Sequence, residues 1–91
     1  MSMHNPTDTK FFRTTSFYPA AFLYAKGIEL AGIQRLTSRR SEFVFVDSPK
    51  LQGLLHSYNF ALENDPTALV DARQFETAIK ALKDRLYQTD D

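Results

Sequence analysis

Apolar and polar positions in this chain alternate with two periods, near two and near 3.6, and the changes of period mark the elements. The run Thr9-Lys10-Phe11-Phe12-Arg13-Thr14 is short and rich in aromatic and β-branched residues, which predicts a first strand with Phe12 turned inward. The next stretch, Ser16 to Gly27, reads as a punctuated helix. Ser16 is placed to cap it through its hydroxyl, Pro19 falls in the first turn where no donor is needed, and Gly27 stands where the exit requires a left-handed residue. Between these limits Ala20, Ala21, Phe22, Leu23, Tyr24 and Ala25 leave no polar stripe. Two readings follow: later helices cover this one, or the ridge made by Tyr18 and Phe22, four residues apart, stays exposed for a partner.

Residues 28–36 and 42–46 are strand-like runs joined by the polar loop Thr37-Ser38-Arg39-Arg40-Ser41, so they should pair as an antiparallel hairpin. The apolar parity of Ile28 and Leu30 shifts at Ile33, which predicts a bulge or bend at Ala31-Gly32. Phe43 and Phe45 share one face of the second run and Val44 and Val46 the other, as expected of a central strand. Ser48 and Pro49 then open a helix with Leu51, Leu54, Leu55, Tyr58 and Leu62 along one face, which must stop before Pro66. Asp71 caps the last helix with Gln74 as its capping-box partner. Val70 closes over Phe75 as a staple, and Phe75, Ile79, Leu82 and Leu86 form the core stripe.

The order β-α-β-β-α-α predicts an α+β domain, a three-stranded, mainly antiparallel sheet packed by three helices. The first strand either crosses over in parallel or lies antiparallel beside the Phe43 strand; the second arrangement makes that strand central and is preferred. The domain should span residues 9–87, after a disordered segment 1–8 and before a frayed tail 88–91.

The Thr14 to Gly27 stretch ending in Lys26-Gly27, the strand Phe43-Val44-Phe45-Val46-Asp47 and the Val70-Asp71 helix entry resemble a small uncharacterised domain family of bacteria and their phages. The resemblance runs from about Thr9 to Tyr87. It implies a bacterial or phage origin and one compact domain, and it brings neither a function nor site residues.

Composition narrows the chemistry. The chain has 91 residues, and a domain of that size buries roughly two-thirds of its unfolded surface, enough to fold without staples. No cysteine is present, which removes disulfides, thiolate metal ligands and cysteine nucleophiles and suits a reducing compartment. No apolar run is long enough to span a bilayer and Met1-Ser2-Met3-His4 does not open a signal peptide, so the expected setting is cytoplasmic, without membrane contact. The two histidines, His4 and His56, lie far apart without carboxylates at ligand spacing, so no metal is expected. The three glycines fall in separate elements and build no phosphate loop. The serines and threonines lie in caps and turns without a paired base, so no catalytic residue, cofactor or enzymatic activity is expected.

Two binding readings remain. In the first, the domain is a non-enzymatic protein-interaction or self-association module that works through the apolar helix 17–26 or a sheet edge, with Tyr18, Phe22 and Phe11 at the contact and a second copy or another protein as partner. The alternative is a small nucleic-acid-binding protein using the hairpin 33–42. Net charge is zero, but Lys10, Arg13, Lys26, Arg35, Arg39 and Arg40 face only one acid, Glu29, in the stretch 10–40. That reading requires these cations to converge on one surface.

Overall fold

The computed structural model describes residues 10–61 and 65–88 of the chain. Thus the expectations for the segment 1–8, for Leu62 and for the last three residues of the tail lie outside the described residues. The elements are β1 (Phe11–Thr14), α1 (Phe17–Ala25), β2 (Leu30–Arg35), β3 (Ser41–Val46), α2 (Pro49–Phe60) and α3 (Ala72–Gln88), so Gln88, expected in the tail, is the last residue of a helix.

The two-sided apolar run forms the centre of the sheet, as its pattern requires. The strand order is β1-β3-β2 with both pairs antiparallel. Register sets Phe12 beside Phe45 and Leu30 beside Phe45 on one face, and Phe11 beside Val46 and Gly32 beside Val44 on the other. The pairing slips between Leu30 and Gly32, so the bulge lies where the parity of the sequence shifts.

Helix α1 is the middle of the helical layer, packed against both α2 and α3 and close to β1. Ala20, Ala21, Phe22 and Leu23 are buried with Phe43, Phe45, Leu51, Leu54 and Leu82 in one cluster. Alanines at the crowded positions let α1 lie close to its neighbours, and larger side chains fill the rest. Its exit is a Schellman turn: the N–H of Ile28 donates to the Leu23 carbonyl (3.1 Å) and that of Gly27 to the Tyr24 carbonyl (3.0 Å). Gly27 has φ +87°, a region costly for a residue with a Cβ. Gly27→Ala is therefore expected to destabilise the domain by about 1–2 kcal/mol, read as a lower urea midpoint at unchanged m-value.

Three local expectations change. Ser16 occupies the cap position of α1, but its hydroxyl makes no capping bond; instead its N–H donates to Thr14 Oγ1 at 3.1 Å. Tyr58 is 38% exposed, because its ring lies over Phe22, with centroids 5.0 Å apart, at the rim of the core. Along α3 the fully buried positions are Ala78 and Leu82, while Phe75, Ile79 and Leu86 are half-buried. Leu82 of the expected stripe is fully buried, and the small Ala78 beside that stripe is buried as well, where α3 packs against α1. The Ser48 and Asp71 side chains cap α2 and α3 as expected. Ser48 Oγ accepts from the N–H of Leu51 at 3.0 Å, and the Asp71 carboxylate accepts from the N–H groups of Arg73 and Gln74.

Candidate functional site

Among the described residues the packed helical side chains all meet the Phe43/Phe45 face of the sheet, and no helix lies on the opposite face. Side chains alternate along each strand, and the register assigns Phe11 and Arg13 of β1, Glu42, Val44 and Val46 of β3, and Gly32 and Gln34 of β2 to this uncovered face. It is apolar toward the end of β3, where Phe11 is 45% exposed and sits across from Val46. Toward the hairpin it is polar, with Arg13 Nη1 bonded to Glu42 Oε1 at 3.2 Å. Both side chains of that pair reach solvent, so the pair stabilises the fold by no more than about 1 kcal/mol.

The face is not level. A shallow trough of about 280 Å³ runs along its β2 side, lined by Phe11, Arg13, Ala31, Gly32, Ile33, Gln34 and Val44. It exists because the bulge turns Ala31 out of register and the following position has no side chain. A Cβ built at Gly32 would meet nothing within 4 Å, and the residue lacks the positive φ of Gly27.

The residues singled out in the sequence separate into different places. Phe11 lies on the uncovered sheet face. Phe22, expected at a partner surface, is 1% exposed and belongs to the core, because Tyr58 and the Lys26 ammonium (5.7 Å from the ring centroid) close over it. Tyr18 is 61% exposed on the helical side, bordering a groove with Phe17, Ile79, Lys83, Leu86 and Tyr87. The Tyr18–Phe22 ridge is therefore half core and half surface. The signal for the uncovered face was already visible in the two-sided run Phe43 to Val46 and in the bulge. Which side of that run the helices would leave bare was not.

Four of the six cations, Arg13, Arg35, Arg39 and Arg40, lie toward the hairpin end of the sheet, and the other two do not join them. Arg35, Arg39 and Arg40 are at the hairpin tip, whereas the Lys10 carbonyl accepts from Asp47 at the far end of β3, and Lys26 donates to the Leu69 carbonyl at the exit of α1. Two of the tip guanidinium groups are part of the local structure. Arg35 donates to the Thr37 and Ser38 carbonyls, and Arg40 donates to Thr15 Oγ1 at 2.9 Å, tying the tip to the start of α1. Thr37 Oγ1 in turn accepts from the N–H groups of Arg39 and Arg40. Both outer strands have features that blunt strand addition: β1 has only four residues and β2 is bulged and ends in Arg35.

Among the described residues no three His, Cys, Asp or Glu side chains gather to hold a metal ion, and no helix is long and apolar enough to cross a membrane. No curated protein and no solved structure matches the chain. The pattern that the resemblance rested on has a counterpart in the comparison with protein families: the sequence model of DUF5659, described as a domain of unknown function, matches residues 9–88, and the chain belongs to that family.

Proposed function

We propose that the domain is a non-enzymatic protein-interaction module, acting in the cytoplasm, whose contact surface is the uncovered sheet face around Phe11, Val44 and Gly32. The observation that carries this reading is the one-sided packing of the three helices, which among the described residues leaves apolar Phe11, Val44 and Val46 on one sheet face beside the Arg13–Glu42 pair. A protein contact site combines such parts, apolar side chains that supply affinity and polar neighbours that supply register. The hairpin is the weaker candidate, since Arg35 and Arg40 are engaged within the domain and Lys10 and Lys26 sit at its other end.

A photo-crosslinking residue at position 11 or 44, expressed in the native host, is expected to trap protein in covalent adducts. The same residue at Lys50 or Lys80, exposed on the helices, should not. Equal trapping from both sets would count against the sheet face, and nucleic acid trapped from position 39 would favour the hairpin.

A further inference from the structure

Helices α1 and α3 run in opposite directions. Phe17 and Tyr18 at the start of α1 line a groove with Lys83 and Tyr87 late in α3, while Tyr24 at the end of α1 lines another with Arg73 and Gln74 at the start of α3. The end of α3 therefore comes to the hairpin end of the sheet, where Arg40 donates to Thr15 Oγ1 at 2.9 Å and the Phe17 ring lies 5.9 Å from that of Phe43, centroid to centroid. Lys83, far from the arginines in the chain, takes the place that Lys10 and Lys26 do not fill. We propose that this end of the domain binds a single-stranded nucleic acid, with bases stacked on Tyr18 and Tyr87 and phosphates held by Arg39, Arg40 and Lys83.

The charge there is positive and local. Arg39, Arg40 and Lys83 make no ion pair among the described residues, and the bond that holds Arg40 goes to a neutral hydroxyl, so it fixes the guanidinium without cancelling its charge. Arg13 is offset by Glu42, and none of the described residues lining the groove is a carboxylate. In a chain of net charge zero such a patch attracts an anion by its position alone.

The rings choose among anions. Tyr18 and Tyr87 are 61% and 70% exposed, flat faces left in water beside the lysine. Single strands are held by this combination, since every base offers a face to stack and the backbone follows the cations. The hairpin by itself has no ring for a base; the groove supplies two. Its volume is about 330 Å³, near the lower end of the roughly 300–1,000 Å³ of sites for single small ligands. That suits a base better than the row of i, i+3, i+4 and i+7 anchors by which an acidic amphipathic helix would dock. A duplex keeps its bases stacked on one another and offers the tyrosines nothing. The groove belongs to the helical side of the domain, so a strand bound there leaves Phe11 and Val44 open to a protein.

Fluorescence anisotropy of the full chain with a labelled oligothymidylate of about twelve nucleotides is expected to show binding that weakens as salt rises. Three phosphate contacts at about −0.7 each give a log–log slope near −2. Tyr18→Ala and Tyr87→Ala should each weaken binding at least about fivefold, while Tyr18→Phe keeps the ring and should bind as the native chain does. Arg39→Ala with Lys83→Ala should reduce the slope by about 1.4, and Lys50→Ala, at the start of α2, should leave it unchanged. A duplex of the same sequence should compete more weakly than the single strand. Absence of binding up to about 1 mM protein, above the roughly 0.1 mM upper end for non-specific contacts, overturns the proposal, as does undiminished binding by folded Tyr18→Ala. Polyglutamate competing as well as the oligonucleotide would also overturn it and assign the groove to an acidic protein.

Discussion

Phe45→Ala is expected to remove about 3–5 kcal/mol of stability. The ring is fully buried, it lies on the central strand, and its backbone neighbours are Phe12 on one side and Leu30 on the other. Truncation therefore opens a cavity bounded by all three strands and by the helices above them. At roughly 0.05–0.15 kcal/mol per residue, a chain of 91 residues has little stability to spare for such a loss. A urea melt should show either a midpoint lowered by half or a population already unfolded in buffer. A loss under about 1 kcal/mol, the size of a surface change, would mean that this strand is not at the centre.

The second large effect separates two residues that the sequence joins. Phe22→Ala should cost about 3–5 kcal/mol, because the ring is enclosed by the core below and Tyr58 above. Tyr18→Ala, one turn earlier on the same helix, should change stability by no more than about 0.5 kcal/mol, since most of that side chain is in water. Circular dichroism melts of the pair test the placement directly. Two similar losses would show that α3 closes over Tyr18 as well, and two negligible ones would put Phe22 at the surface.

These contrasts show where sequence reasoning was strong. Period and punctuation depend on the nearest few residues, so the order of elements, the Gly27 exit, the Ser48 and Asp71 caps and the slip at Ala31-Gly32 could all be read from the chain. The Ser16 cap was misread at the level of one hydroxyl. Serine is favoured at that position for its side chain, but here Thr14 supplies the oxygen and accepts from the Ser16 N–H itself. Ala78 escaped notice because a small residue gives a weak apolar signal, although a close helix crossing selects for small size.

The candidate surface was legible only in part. Phe11 was identified as a contact residue, and the two-sided strand implied that two faces needed cover. A period of two states that alternate residues point opposite ways and says nothing about which way three helices will lie. That depends on their packing against one another, with α1 between α2 and α3. The same limitation applies to the cations. Their crowding between residues 10 and 40 is a property of the chain, whereas the distance of Lys10 from the hairpin follows from the antiparallel pairing of β1 and β3, and that of Lys26 from its place at the exit of α1.

By itself the sequence determined the α+β class, the order of the six elements and the bulge at Ala31-Gly32, because each is set by local sterics and by the alternation of side chains, while the two-sided Phe43 strand made a central place the preferred one of two arrangements. Tertiary structure alone decided that Phe22 is core, that Lys10 and Lys26 lie apart from the other four cations, and that Phe11, Arg13, Glu42, Val44 and Gly32 share one face on which no described helix packs. Those facts rest on contacts between residues distant in the chain, where register and helix packing choose among arrangements that the local pattern leaves equal.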